Sequence, residues 1–212
     1  LGLDNKFVRN LTAKAKRNPK KVVFAEADTY KVLKAAEMAL EEGIAEPILL
    51  GREIKINKII QEYNLDLPNC TIIDPRSDET IDQRERFAKI LHEKRKRRGL
   101  TFYEAKKMMR ERNYYASAMV ETGMADVMIS GITRSYKETI RPALQVIGAE
   151  EGINKIAGMY ILISKDGPIF FADTTININP TIEEIVDITL LVARTVKAVS
   201  YTHLRAHETS GY

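Results

Sequence analysis

Short apolar runs alternating with longer apolar-periodic segments constrain this chain more than any other feature. Lys21–Ala25 (KVVFA), Pro47–Leu50, Thr71–Asp74 and Val127–Ile129 are each too short for a helix and read as buried strands. Helical spacing lies between them. A helix capped by Asp28 or Thr29 runs to Glu42, with Val32, Leu33, Ala36 and Leu40 inward and Gly43 as its stop. Glu53–Tyr63 follows with Ile56, Ile59 and Ile60 apolar, then a long segment from Asp78 to about Arg98. Thr101-x-x-Glu104 is a capping box opening another helix, and Asn113–Glu121 returns the chain to the strand at Val127. Strands separated by helices pair in parallel, with the crossover helices covering the sheet faces. The expected class is therefore α/β. Residues 19–148 form an open, mostly parallel, doubly wound sheet in an α/β/α sandwich, preceded by a basic helix or linker at 1–18 with Phe7, Leu11 and Ala15 on one face.

The texture changes after Gly148. Glycines punctuate two apolar runs, Met159–Ile163 and Ile169–Ala172, joined by Ser164-Lys165-Asp166-Gly167, which reads as a hairpin turn. Thr181-x-x-Glu184 is a second capping box, and its helix carries Ile185, Ile188, Leu191, Val192 and Val196. A hairpin and one helix bury too little apolar surface to stand alone. Residues 152–198 are accordingly expected to begin a second α/β domain that is cut short here, leaving an apolar face of the last helix exposed.

The strand at Val127 leads into the stretch with the most chemical content, Ala125–Gly148. It breaks at Ser130-Gly131, passes through a polar, basic loop, Ile132–Lys137, and enters an apolar-periodic segment, Thr139–Ile147. Backbone N–H groups and the helix dipole at such a junction favour an anion, and Arg134, Lys137 and Arg141 add positive charge. A phosphate-bearing ligand fits this loop; an ordinary strand–loop–helix unit with solvated basic residues fits it too. Glu26 and Asp28 follow the first strand at the same sheet edge, as an acid or base or, more simply, as helix caps.

Composition narrows the classes. A net charge of +4 over 212 residues does not by itself argue for nucleic acid, and the basic run Lys94–Arg98 lacks interleaved aromatics. Cys70 is the only cysteine, so no internal disulfide forms and a reducing compartment is expected. No apolar run nears the roughly twenty residues of a membrane span. LGLDNKFVRN has no signal-peptide pattern. The reading is cytoplasmic, with neither a nucleic-acid nor a membrane partner. Val199–Tyr212 is similar to the in-frame translation of a sequencing-library adapter and is read as non-native, with the natural chain expected to continue beyond it. His203-x-x-x-His207 within it would chelate a metal on a helix, but no third ligand is nearby, so no metal site is expected.

Two motifs resemble one family. Gly131-x-x-x-Ser135-x-x-Glu138-Thr139-Ile140-Arg141-Pro142-Ala143-Leu144-Gln145 and Phe171–Ile188 (FADTTININPTIEEIVDI) are similar, in that order, to runs of the phosphate acetyl/butyryltransferases. The resemblance covers about Pro19 to Ala198. It implies transfer of an acyl group between coenzyme A and phosphate, and a parent that is a homo-oligomer. It places Arg141 at the active-site cleft and Ser135 at a hydroxyl position of the same loop. It also assigns Arg95, in Arg95-x-x-Arg98-Gly99-Leu100-Thr101, to the coenzyme A or phosphate site. Asn177, Asn179 and Pro180 read mainly as a turn and cap, and Asp173 is a similar case. The family's catalytic serine–arginine pair and aspartate belong, by the same resemblance, after Ala198.

Where the family usually has Ser-Thr-small-acid, this chain has Ser135-Tyr136-Lys137-Glu138. Bulky residues there, together with the opening GLDNKFVRN…, resemble the C-terminal phosphotransacetylase-like domain of multidomain NADP-dependent malic enzymes. That resemblance implies a regulatory domain responsive to acetyl-CoA, with NADP, a divalent metal and malate decarboxylation in an upstream domain. Two alternatives stay open: a fragment of an active phosphate acetyltransferase, and a non-catalytic coenzyme A-binding or assembly module.

Overall fold

The structure is a computed structural model that describes residues 5–150, 153, 155–164 and 167–199. Its elements run α1 (Lys6–Arg17), β1 (Lys20–Phe24), α2 (Tyr30–Glu41), β2 (Ala45–Leu50), α3 (Glu53–Glu62), β3 (Thr71–Ile73), α4 (Ile81–Arg95), α5 (Phe102–Met108), α6 (Arg112–Glu121), β4 (Val127–Ile129) and α7 (Tyr136–Val146). The hairpin strands β5 (Met159–Ser164) and β6 (Gly167–Ala172) and the helix α8 (Ile182–Val199) complete the order. The chain divides into two compact units, Lys14–Gly148 and the remainder.

In the first unit four strands pair in the order β3-β2-β1-β4, all parallel. Alternation along β1 and β2 explains the two-sided core. Val23, Ala25 and Leu50 point to one face, against Phe87, Ala88 and Leu91 of α4, Ala105 of α5, Tyr115, Ala116 and Met119 of α6 and Val146 of α7. Val22, Phe24 and Leu49 point to the other, against Leu33 and Ala36 of α2 and Ile56 of α3. This is the doubly wound α/β arrangement expected from the alternation of runs. The chain winds outward from β1 through β2 to β3, then returns to place β4 on β1's other side. The strand order therefore reverses between β1 and β4, where open α/β sheets leave a crevice at the carboxyl edge.

Local chemistry sets the boundaries. The long segment after Asp78 begins and ends in single 3₁₀ turns, Asp78–Thr80 and Lys96–Arg98, and Gly99 stops it at φ +85°. Buried Arg84 holds the approach to α4, donating from Nη1 to the carbonyls of Pro75 and Ser77, both at 2.7 Å. The expected helix caps at Asp28 and Thr29 are not made: Thr29 stands at the α2 N-cap without a side-chain bond. The capping boxes at Thr101 and Thr181 both form.

In the second unit β5 and β6 pair antiparallel from Met159–Ala172 to Ser164–Gly167. The Lys165-Asp166 turn, and the whole tail from residue 200 with His203 and His207, lie outside the described residues. Asp173 follows β6 and folds the next loop around itself. Its carboxylate accepts from the backbone N–H of Gly158 (2.8 Å), Thr175 (3.1 Å), Ile176 (3.2 Å) and Asn177 (2.6 Å). Burial opposes ionisation of Asp173, but these donors outweigh it and hold the carboxyl far below the usual range. Asp173 and Asn177 are thus turn-formers leading into α8. Among the described residues no helix is long and apolar enough to cross a membrane, and no three His, Cys, Asp or Glu gather to hold a metal.

Candidate functional site

The β1/β4 crevice is built by three segments: the residues after β1, the loop from β4 to α7, and the start of α6. After β4, Gly131 adopts φ +114°, a backbone that side-chain-bearing residues rarely take. The turn aims consecutive N–H groups at one point. That point is the Glu26 carboxylate: Oε2 accepts from the N–H of Gly131 and Ile132, both at 2.7 Å, and Oε1 from the N–H of Thr133 at 2.9 Å and from its hydroxyl. Glu26 is only 3% exposed. Burial works against its charge, but the Thr133 hydroxyl and the N–H donors prevail and hold it below the ordinary carboxylate range. The N–H groups expected to face a ligand's phosphate therefore face the chain's own carboxylate, and Glu26 caps a loop rather than a helix.

The next residues belong to α7. The expectation of a basic loop through Lys137 is corrected here, because the helix opens at Tyr136 with Ser135 as its N-cap. Ser135 Oγ accepts from the Glu138 N–H at 3.4 Å and donates to Glu138 Oε2 at 2.8 Å, while the Ser135 N–H donates to the same carboxylate at 3.0 Å. This is a capping box, and Ser-x-x-Glu is legible in the sequence. Further along, Pro142 lacks the N–H that would bond Glu138 O, and Asn113 Nδ2 donates to that carbonyl at 3.4 Å instead. Asn113 Oδ1 accepts from Ser130 Oγ at 2.8 Å, so one buried side chain joins α6, the β4–α7 loop and α7.

Two adjoining clefts result. The first, of about 330 Å³, is lined by Glu26, by Glu111, Arg112, Asn113 and Tyr114 at the start of α6, and by Arg134, Glu138, Arg141 and Pro142. The second, of about 620 Å³, lies between the end of α4 and α7, with Arg95, Arg98, Lys107 and Arg141 as its cations and Leu100 and Met108 as apolar wall. Arg141 and Glu111 line both.

The five expected ligand residues part company. Arg141 lines both clefts, and no hydrogen bond or ion pair engages its guanidinium among the described residues. Arg134 lines the first cleft but is shared by Glu111 at 3.5 Å and Glu138 at 3.7 Å, loose and largely exposed pairs that hold it weakly. Arg95 lines the second cleft while donating to the carbonyls of Leu144 (2.8 Å) and Gln145 (3.2 Å), and beside it Lys94 Nζ donates to Val146 O at 2.6 Å. These two cations satisfy the last carbonyls of α7 and complement its dipole. Ser135 is engaged in the cap. Lys137 is exposed on α7 and belongs to the lining of neither cleft, and Tyr136 likewise. The bulk at those two positions is therefore not turned into either cleft.

Several lining residues carried no sequence signal that singled them out. Arg112 is held by Asp28, which also accepts from Lys55 at 3.3 Å. Burial opposes ionisation of Asp28, but Arg112 above all, then Lys55, keeps its carboxyl low. Tyr114 donates to Gln145 Oε1 at 2.6 Å; burial pushes its phenol up, against the pull of Arg141 and Arg95. Arg98 and Lys107 sat in basic runs indistinguishable from a solvated helix surface. The one clue was Glu111–Tyr114, a polar run opening a helix whose remaining residues are almost all buried.

Comparisons with known proteins agree with this architecture. The family model described as "Phosphate acetyl/butaryl transferase" matches residues 6–207. A phosphate acetyltransferase of Clostridium acetobutylicum is 34% identical, the match covering 86% of this chain and 56% of that protein. An NADP-dependent malic enzyme of Haemophilus influenzae is 30% identical over 90% of this chain and 25% of its own length. The crystal structure of a phosphotransacetylase from Streptococcus pyogenes superposes with a TM-score of 0.82 at 30% identity, covering 94% of this chain and 60% of that one. The chain thus spans a little over half of the phosphate acetyltransferase it is compared with. With residues 6–207 of the chain matched by the family model, on a parallel sheet whose crevice carries the Ile-Arg-Pro-Ala-Leu helix, the chain belongs to the phosphate acetyl/butyryltransferase family.

Proposed function

We propose that this chain is the part of a phosphate acyltransferase that receives the anionic groups of coenzyme A and phosphate, with Arg141 as the principal ligand cation. The observation that carries the reading is the guanidinium of Arg141, which lines both clefts and has no side-chain hydrogen bond or ion pair among the described residues. A free guanidinium offers a phosphate two parallel N–H donors with no internal partner to displace. The reaction class follows from the family. A coenzyme A thiolate attacks the acyl carbon of an acyl phosphate, the C–S bond forms, the bond from that carbon to the bridging oxygen breaks, and phosphate leaves with that oxygen and the electron pair. Charge on the departing phosphate is stabilised by cations already in place. Arg134 and Arg95 would assist from either side, each after loosening an internal contact.

This reading replaces the malic-enzyme expectation as the favoured one. The supporting relatives are named phosphate acetyltransferase, and the malic enzyme is a lower-identity match. The structural ground for a non-catalytic domain also weakens, since Tyr136 and Lys137 line neither cleft. The test is calorimetric titration of the chain with coenzyme A and with acetyl phosphate. Saturable binding, weakened about tenfold or more by Arg141→Ala, supports the reading. Equal binding by both proteins would remove Arg141 from the site.

A further inference from the structure

We propose that Glu26 is a positioning residue: an internal anion that fills the Gly131–Thr133 cradle and fixes the N-terminal end of α7, the helix that carries Arg141. The inference rests on the functional reading above for its consequence, but its geometry stands apart from it. Converging N–H groups of successive residues form a concavity that, at a sheet edge beside a helix start, ordinarily takes a phosphate or other anion. Here a carboxylate buried to 3% exposure occupies it, with three N–H groups and one hydroxyl as donors. Glu26 contributes a wall of the first cleft and, among the described residues, has no cationic partner of its own. Its nearest role is therefore to the loop, not to an ion pair.

The consequence is mechanical and selective. Thr133 is the last residue the carboxylate holds, Arg134 comes next, and Ser135 caps α7. The far end of α7 is held by Lys94 and Arg95. Arg141 lies between these two anchors, so releasing the first lets α7 shift about the second. Because the cradle is already filled, a substrate phosphate is directed to side-chain cations and not to the loop backbone.

The experiment compares the full chain with Glu26→Gln, which keeps the shape, and Glu26→Ala, which empties the cradle. Coenzyme A affinity is titrated with and without formate, and amide exchange is followed at Gly131, Ile132 and Thr133. Expected are binding weakened about tenfold in both variants, recovery by formate in Glu26→Ala alone, and cradle amides that lose protection and regain it with formate. A residue needed only for packing would not respond to a small carboxylate. Wild-type affinity and unchanged amide protection in Glu26→Ala would overturn the proposal, as would losses that formate leaves untouched. Should Glu26→Ala not fold, Glu26→Gln decides: wild-type affinity with protected cradle amides overturns the proposal, and loss of both supports it. If the unsubstituted chain binds neither coenzyme A nor acetyl phosphate, the functional reading fails by itself, and cradle amide exchange still judges Glu26.

Discussion

Arg141 and Glu26 both line the first cleft and illustrate opposite uses of charge. Among the described residues Arg141 is a cation without a side-chain partner, so its substitution is expected to cost the fold little and the ligand much. Glu26 is an anion with four donors, so its substitution is expected to cost the fold directly and the ligand only through the loop. Replacing it by Gln turns an amide N–H₂ towards N–H groups and leaves buried donors unpaired, at about 1–3 kcal/mol. Urea unfolding at neutral pH should show that loss. The pH dependence has a definite sign. The folded pKa of Glu26 is lowered, so its stabilisation is present above the unfolded value of roughly 4.3 and fades as pH falls through the lower folded value. The stability gap between the wild type and Glu26→Gln should therefore be full at pH 7 and shrink below about pH 4. A gap that stays constant to pH 3 would show that the carboxylate's charge is not what the cradle uses.

At the scale of the element, α7 is a helix fastened at both ends. Ser135 closes the N-terminus and Lys94 with Arg95 closes the C-terminus. Ser135→Ala should cost about 1 kcal/mol in a thermal or urea melt, as N-cap losses do, while leaving coenzyme A affinity within about twofold. A tenfold affinity loss without a stability loss would make Ser135 a ligand residue and not a cap. Arg95→Ala should lower both quantities, because the same guanidinium lines the second cleft and satisfies the carbonyls of Leu144 and Gln145. Much of this helix was legible. Its apolar period, its arginine and its place after a buried strand were all in the sequence. Its first turn is hidden by the family resemblance, which puts Ser135 at a ligand hydroxyl, although Ser135-x-x-Glu138 has the same form as the boxes at Thr101 and Thr181. The Glu26 cradle was out of reach for a different reason. Its donors lie over a hundred positions away, and only the pairing of β1 with β4 brings them together. Asn113 bridging to a carbonyl freed by Pro142 is likewise a contact that no local pattern announces.

For the molecule as a whole, stability is distributed unevenly. The four-stranded sheet carries apolar cores on both faces, and Val23, Leu49 and Leu50 are fully buried. The β5–β6 hairpin leaves Tyr160, Leu162, Ile169 and Phe171 substantially exposed, and a two-stranded ribbon gains little from pairing alone. Native-state hydrogen exchange should find the slowest amides in β1 and β2, with the hairpin opening at markedly lower free energy. Uniform protection across both would contradict that ordering. Doubly wound topology was the most legible feature of the sequence, because strand-length apolar runs separated by helices leave few other arrangements. The position of the crevice followed only once the strand order was known. Arg141, which lines both clefts and is unpaired among the described residues, is proposed as the cation that receives the ligand's phosphate. Titrating coenzyme A into the whole chain and into Arg141→Ala tests it most directly. Saturable binding that weakens at least tenfold in the variant, about 1.4 kcal/mol, is expected, with an unchanged melting curve. Equal affinities in two equally folded proteins would contradict it.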